Sequence, residues 1–242
     1  MARGHEDWGI NTGQLAFVDA DTAELAVRLG SPNVWRRSGR VIYIDGFEGS
    51  LAPWLKLTGG TGSAAEIVRE FSNQGSGSVR ITPGSDGNQR MILEKRLPYF
   101  PNARTGMEVA MWPLNGVTAL KICLIKHTAT ERVAFHIRVR PAEKDVSYWT
   151  NPGGYTIIAD IHDVIDVNTN FFLLKMIVDF ETNQYIRAYL NETEYSLSGI
   201  SAGIDVIGGD NRYLVAQLRT EDTSGGQALS YMDDLIVTID EQ

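Results

Sequence analysis

The chain has 242 residues, of which 43% are hydrophobic and 21% are charged, and its formal net charge at pH 7 is −8. Its length allows a sizeable core in one large β-domain or in two smaller ones. The acidic balance leaves no excess of lysine and arginine to neutralise phosphates, so we expect no nucleic-acid partner. The single cysteine, Cys123, excludes an intramolecular disulfide, and its apolar neighbours predict a buried thiol.

No apolar run in the sequence reaches the roughly 18 residues that a membrane-spanning helix needs. The longest run, from Phe171 to Val178, is interrupted by Lys175. The opening residues contain no apolar core of the kind that a signal peptide has. We therefore expect no membrane partner and no export signal.

The first forty residues differ in pattern from the rest of the chain. The opening residues show no clear periodicity and contain scattered aromatic side chains. A short helix is predicted at about 21–30, because Asp21 or Thr22 can cap its start and Gly30 is typical of a helix end. Residues 1–40 are predicted to form an N-terminal arm, which either lies on the surface as a frayed terminus or orders against a neighbouring subunit.

From Val41 onward the sequence has the pattern of short strands separated by turns. The clearest strand runs from Val133 to Arg140, where apolar and polar residues alternate, and it is predicted to form a hairpin with Val117 to Ile125. Residues Phe171 to Phe180 are apolar on both faces, as expected for a central strand. About a dozen such segments with almost no helix predict an all-β fold, an antiparallel two-sheet jelly-roll sandwich over residues 41–242.

The last predicted strand runs from Ser230 to Ile239. A period of two places Tyr231, Asp233 and Leu235 on the same face of this strand. A carboxylate among apolar neighbours needs backbone N–H groups, an arginine or a cation to offset its desolvation. The sequence therefore predicts such a partner for Asp233.

Two stretches at the ends of the strand-rich region resemble concanavalin A-like jelly-roll domains, which include laminin-G-like and carbohydrate-binding modules. The stretch from Asp45 to Leu51, followed by Trp54, is similar to their opening motif, and Tyr231 to Val237 is similar to their closing strand. In some of these domains the opening glutamate and the closing aspartate bind a structural calcium ion. The resemblance therefore implies Glu48 and Asp233 as calcium ligands; the alternative is a solvated glutamate and an aspartate that accepts backbone N–H bonds.

The segment before the sandwich, from Asp21 to Ile42, is similar to the lead-in of phage virion structural proteins that carry such a domain. This resemblance implies a non-enzymatic structural protein of a phage particle, on the capsid surface or the tail, assembled in the host cytoplasm. The expected partners are further copies of the chain, as a homo-oligomer, and other virion proteins. The arm residues expected to bury against them are Trp8, Phe17, Leu25, Leu29 and Trp35.

The residues themselves show no catalytic motif. The Glu-x-Asp-x-x-Glu pattern of jelly-roll glucanases is absent, and no serine–histidine–aspartate order can be argued. No glycine-rich phosphate-binding loop precedes a helix. The acidic run around His162 is interpreted as a turn rather than as a metal site, since no distant cysteine or histidine completes a ligand set. We therefore expect that the protein is not an enzyme.

The alternative function is recognition of a cell-surface polysaccharide by a carbohydrate-binding module. Aromatic side chains with polar neighbours on one sheet face would form such a site. The candidates are Tyr185, Arg187 and Tyr189, which alternate along one predicted strand, together with Trp149 on a nearby loop. Tyrosine, tryptophan and arginine are also enriched at protein interfaces, so this surface fits a glycan or a partner subunit equally well.

Overall fold

The computed structural model of the protein describes residues 39–85, 89–100, 102–161, 171–208, 212–223 and 228–242. The predicted helix at 21–30 and the five predicted assembly residues of the arm lie outside these ranges. Every regular element within the described ranges is a β-strand. No helix in this part of the chain is long and apolar enough to cross a membrane.

Sixteen strands follow one another along the described residues. They are β1 (Arg40–Asp45), β2 (Leu55–Gly59), β3 (Ala64–Val68), β4 (Ser78–Thr82), β5 (Arg90–Leu97), β6 (Arg104–Asn115), β7 (Ala119–His127), β8 (Glu131–Arg140), β9 (Asp145–Thr150), β10 (Gly154–Asp160), β11 (Phe172–Asp179), β12 (Gln184–Leu190), β13 (Thr193–Ser201), β14 (Gly203–Val206), β15 (Tyr213–Glu221) and β16 (Leu229–Ile239).

The strands form two antiparallel sheets of eight strands each. Sheet A has the order β13-β12-β11-β6-β16-β4-β3, and β1 also pairs with β16. Sheet B has the order β10-β9-β8-β7-β15-β5-β2, and β14 pairs with one end of β8. The predicted hairpin is present as β7 and β8. The prediction of an all-β, antiparallel two-sheet sandwich is confirmed.

The inner faces of the two sheets enclose the core. On β8 the apolar residues alternate inward as predicted, and Val133, Phe135, Ile137 and Val139 are all 0% exposed. The central strand β11 is buried at every position, as its apolar sequence predicts. Burying one such side chain stabilises the fold by about 1.5–3 kcal/mol. The residues between them on β8 must therefore point away from the core, onto the outer face of sheet B.

The predicted alternation in the last strand is wrong because β16 contains a β-bulge. The register with β6 shifts between Asp233 and Ile236, and Asp234 has a φ of 50°. A bulge inserts one extra residue and changes which side chains face the core. As a result Met232 lies in the core, whereas Tyr231 belongs to the opposite face.

A second bulge divides the predicted surface stripe on β12. The register of β12 shifts between Tyr185 and Arg187 against both of its neighbouring strands. Tyr185 and Ala188 belong to the core, while Arg187 and Tyr189 lie on the outer face of sheet A. The prediction that the two tyrosines share a face with the arginine is therefore wrong.

Candidate functional site

The outer face of sheet B carries a cleft of about 440 Å³. Part of its floor is formed by Ile125 and Ala134, which continue a row of small and apolar side chains across three neighbouring strands. Val215 on β15 lies opposite Ile125 on β7, and Ile125 lies opposite Ala134 on β8. Directly opposed residues share a face of the sheet, so the three form a continuous low row. Longer side chains on either side of this row give the cleft its depth.

An indole stacked on an imidazole forms one wall of the cleft. The rings of Trp149 and His136 are 4.8 Å apart, with an interplanar angle of 16°. Gly203, on β14, leaves room for the indole, because a Cβ atom there would lie only 1.8 Å from Cζ3 of Trp149. The half-buried Trp149 is thus held between His136 and β14 while still lining the cleft.

A second aromatic side chain stands at another edge of the floor. Tyr213 on β15 lies opposite His127 on β7, and their rings stack at 4.4 Å with an interplanar angle of 17°. The guanidinium of Arg96 lies 4.8 Å from the centre of the Tyr213 ring. Contacts between a cation and an aromatic face contribute about 0.5–1 kcal/mol at exposed sites. Both neighbours therefore limit the motion of the phenol ring.

A chain of hydrogen bonds lines the side of the cleft formed by β15 and β5. Nε of Arg219 donates to Oε1 of Gln217 at 2.9 Å, and Nε2 of Gln217 donates to Oε2 of Glu94 at 2.7 Å. Gln217 is almost fully buried, and its amide is orientated by a donor on one side and an acceptor on the other. The cleft therefore presents polar groups of fixed direction beside an apolar floor.

Both histidines of the cleft have a pKa below the ordinary value. Burial lowers the pKa of His136 most, and the nearby Arg219, Lys121 and Arg132 lower it further. Burial is also the main cause of the lowered pKa of His127. Both imidazoles are therefore neutral at neutral pH, and each can accept or donate a hydrogen bond.

Tyr185 supports this wall from inside the core. It is 0% exposed, so it is not part of a glycan-binding surface as the sequence predicted. Its hydroxyl instead accepts a hydrogen bond from the backbone N–H of His136 and donates one to the carbonyl of Trp149, both at 2.8 Å. The tyrosine therefore acts on the cleft through the backbone of β8 and β9.

The four predicted surface residues are not brought together by the structure. Trp149 lies on the outer face of sheet B, and Arg187 and Tyr189 lie on the outer face of sheet A. Tyr189 is only 4% exposed, and Arg187 lies 3.8 Å from Glu194. A glycan that contacts Trp149 therefore cannot contact the β12 pair on the same surface.

The two predicted calcium ligands contact backbone amides of the loop between β3 and β4. Oδ2 of Asp233 accepts hydrogen bonds from the N–H groups of Asn73 at 2.8 Å and Gln74 at 3.2 Å. Oε1 of Glu48 accepts from the N–H groups of Ser76 at 2.6 Å and Gly77 at 2.9 Å. These contacts agree with the amide alternative for Asp233.

Within the described ranges, no group of three or more histidine, cysteine or acidic side chains is placed to hold a metal ion. Calcium prefers six to eight oxygen ligands, more than the two carboxylates provide. Calcium binding remains an untested prediction, which a calcium titration of the melting temperature would address. His162, in the acidic run, lies outside the described residues.

Sequence reasoning missed most of the cleft. Of its residues only Trp149 was predicted, and the others come from five different strands. One signal was available in the sequence of β8, whose polar face carries Arg132, His136, Arg138 and Arg140 in an acidic protein. A row of cationic and aromatic side chains opposite a buried face indicates a binding surface more strongly than the tyrosines of β12.

No protein-family model matches the chain, and no curated protein matches it in sequence. Among solved structures, a protein of unknown function with a galectin-like fold from Bacillus subtilis has a TM-score of 0.54 and 10% identity, over 85% of this chain and 99% of that one. An endo-β-1,4-glucuronan lyase from the fungus Trichoderma reesei has a TM-score of 0.54 and 9% identity, over 82% and 95% of the two chains. A carbohydrate esterase from the Shiga toxin-encoding bacteriophage phi24B has a TM-score of 0.52 and 11% identity, over 84% and 100%.

These comparisons correct one expectation. The expectation that the protein is not an enzyme depended on missing motifs, and it does not stand, because structures named as a lyase and an esterase have the same fold. One of these neighbours comes from a phage, but a place in a virion is not confirmed by that likeness. At about 10% identity the likeness establishes the fold alone. The chain has the β-sandwich fold that these three structures share, which is described as galectin-like for one of them.

Proposed function

We propose that the protein binds a polysaccharide in the cleft on the outer face of sheet B. The observation that carries this proposal is the position of two half-buried aromatic rings, Trp149 and Tyr213, beside a low apolar floor. Each ring is held by a stacked histidine, so little side-chain entropy is lost when a ligand packs against it.

The polar groups of the cleft complement these rings. Binding sites for small molecules and polymers combine apolar surface with a few polar groups of fixed orientation. Gln217, fixed between Arg219 and Glu94, and the neutral His136 supply donors and acceptors for sugar hydroxyls. The names of the lyase and the phage esterase with this fold support the same class of ligand.

The proposal is tested by binding of polysaccharides to the full chain and to Trp149→Ala, measured by affinity electrophoresis. We expect Trp149→Ala to weaken binding by about tenfold or more, since a buried aromatic contact contributes on the order of 1–3 kcal/mol. Phe71→Ala is the matched control, because Phe71 is 40% exposed but packs against sheet A residues. Equal binding by all three proteins would exclude the cleft as the site.

Catalysis is tested in the same mixtures. Because a lyase and an esterase share this fold, each bound polysaccharide is assayed for new chain ends and for released acyl groups. Product formed by the parent protein but not by Trp149→Ala would show that the protein is an enzyme. Binding without product would indicate a binding domain.

A role in a phage particle remains a second hypothesis, supported by the resemblance of the segment from Asp21 to Ile42. The arm residues that would make the homo-oligomer lie outside the described residues, and the division of the chain at residue 40 is likewise a prediction. Light scattering of the full chain tests assembly directly. A monomer at all concentrations would contradict the oligomer, and a defined oligomer would support it.

A further inference from the structure

The charge of the cleft is opposite to that of the protein. The chain has a formal net charge of −8, yet the cleft is lined by three arginines, Arg90, Arg132 and Arg219, and by one carboxylate, Glu94. An acidic protein that gathers arginines in a concave surface raises the local concentration of anions there. A guanidinium can also donate to a neutral hydroxyl, but the excess of positive charge specifically favours an anionic ligand.

Among the residues that the structure describes, two of the three arginines form no ion pair. Arg132 is paired with Asp205 on β14. No ion pair joins Arg90 or Arg219 to a carboxylate within the described part of the chain. Glu94, the acidic residue of the cleft, lies 3.6 Å from Arg96 and accepts the amide of Gln217. The cleft therefore keeps an excess of positive charge after its internal pairs are counted.

The register of sheet B places these two arginines side by side. Arg90 on β5 lies opposite Glu221 on β15, two residues beyond Arg219 on the same face. Diagonal neighbours of this kind have backbones about 7–8 Å apart, within reach of two long side chains that bind the same or adjacent groups. Arg219 uses its Nε and Nη2 atoms to bind Gln217. Since a guanidinium has five N–H donors, it retains others for an anion.

We infer that the polysaccharide is anionic and that Arg90 and Arg219 bind its carboxylate or sulfate groups, while Trp149 and Tyr213 pack against its sugar rings. This inference rests on the proposed function and specifies its ligand. Arginine suits the task, because its planar donor pairs match the oxygens of a carboxylate or sulfate group.

The experiment measures the affinity of the full chain for four polymers at low and high salt, by affinity electrophoresis or calorimetry. The polymers are a polyuronate, a sulfated dextran, an unmodified neutral dextran or β-glucan, and single-stranded DNA. We expect binding to the polyuronate or the sulfated dextran, weaker binding at high salt, and about tenfold weaker binding by Arg219→Gln or Arg90→Gln. The two charged polysaccharides distinguish the source of the anion, and a preference for either supports the inference.

Arg80→Gln is the matched control. It removes the same charge from the other sheet, where Arg80 pairs with Glu66 and Glu70. If Arg80→Gln weakened binding as much as the cleft variants do, only the net charge would matter, and the inference would be overturned. It would also be overturned if the chain bound DNA as tightly as the charged polysaccharides. Binding of the neutral polymer alone would overturn it and leave the proposed function in place. If the folded full chain bound none of the four polymers, both the inference and the proposed function would be overturned.

Discussion

The hydroxyl of Tyr185, a core residue of sheet A, binds the backbone of His136, a cleft residue of sheet B. His136 N–H donates to the hydroxyl at 2.8 Å, and the hydroxyl lies 3.2 Å from the His136 carbonyl. His136 is located between the last pairing of β9 with β8, at Ile137, and the first pairing of β14 with β8, at Ala134. The tyrosine thus satisfies backbone groups at the point where one neighbouring strand of β8 is replaced by another.

Removing this hydroxyl leaves buried backbone groups without their partner. We expect Tyr185→Phe to lower the free energy of unfolding by about 1–3 kcal/mol, the cost of an unsatisfied buried polar group. Polysaccharide affinity should fall as well, because the carbonyl of Trp149 loses the same partner. Urea denaturation and affinity electrophoresis measure the two effects. Tyr195→Phe, a change on the neighbouring edge strand β13, should alter neither. A Tyr185→Phe protein as stable as the parent would contradict the role.

The position of the Trp149 indole depends on the absence of a side chain at residue 203. A Cβ atom on Gly203 would lie 1.8 Å from Cζ3 and 2.4 Å from Cη2 of the indole, so Gly203→Ala must displace the ring. We expect a change in tryptophan fluorescence, weaker polysaccharide binding, and a loss of stability of about 1–3 kcal/mol. Gly49→Ala is the control, since a Cβ atom at Gly49 has no neighbour within 4 Å.

A double-mutant cycle separates the indole from other effects of the added methyl group. In a Trp149→Ala background the clash is removed, so Gly203→Ala should then cost much less stability than in the parent protein. The same cost in both backgrounds would show that the methyl group acts on the backbone of β14 instead of on Trp149.

Stability should depend on pH through Asp233. Burial and the neighbouring Asp234 raise its pKa to about 7, although three backbone N–H groups act in the opposite direction. The folded state therefore holds this proton more tightly than the unfolded state, whose pKa is about 3.9. The resulting stabilisation is complete below about pH 4 and is lost as the pH rises through about 7.

Asp233→Asn tests this sign, because an amide cannot ionise. The variant loses some stability at every pH, since its NH₂ group cannot accept all of the bonds that the carboxylate accepts. Its free energy of unfolding should nevertheless fall less steeply from pH 4 to 7 than that of the parent. Parallel pH profiles in urea denaturation would contradict the raised pKa.

The sequence predicts the sheets better than it predicts the faces of individual strands. The alternation of β8 and the apolar β11 depend on burial alone, which the order of apolar and polar residues reports directly. The bulges in β12 and β16 interrupt this alternation. After each bulge, side chains point to the opposite face from the one that a period of two predicts. Tyr185 therefore lies in the core rather than on the surface. The order of apolar and polar residues in β12 does not show where the bulge occurs. Asp234 offers a weak hint, since aspartate tolerates a positive φ.

The cleft was hard to predict for a different reason. His127, Tyr213 and Gln217 come together only because β15 lies between β7 and β5, a sheet order that local patterns do not determine. Trp149 was predicted from its residue type, but it was grouped with residues of the other sheet. The motif resemblance paired Glu48 and Asp233 as calcium ligands, which stays a prediction; the structure shows that both carboxylates bind one loop.

That loop provides the last prediction. Oε1 of Glu48 accepts the N–H groups of Ser76 and Gly77, and its Oε2 accepts the Ser76 hydroxyl at 2.6 Å. These bonds, first of all that from the Ser76 side chain, lower the pKa of the Glu48 carboxyl. The hold on the loop is therefore complete above the ordinary pKa of glutamate and is lost as the pH falls through the lowered value.

We expect Glu48→Ala to increase amide hydrogen exchange at Ser76 and Gly77 by about tenfold while the strands keep their protection, because only local opening becomes easier. The carboxylate is exposed, so the global stability should change little. Glu66→Ala, on the adjacent strand β3, is the control, since Glu66 binds Arg80 and not the loop. Unchanged exchange at both amides in Glu48→Ala would show that Asp233 alone positions the loop.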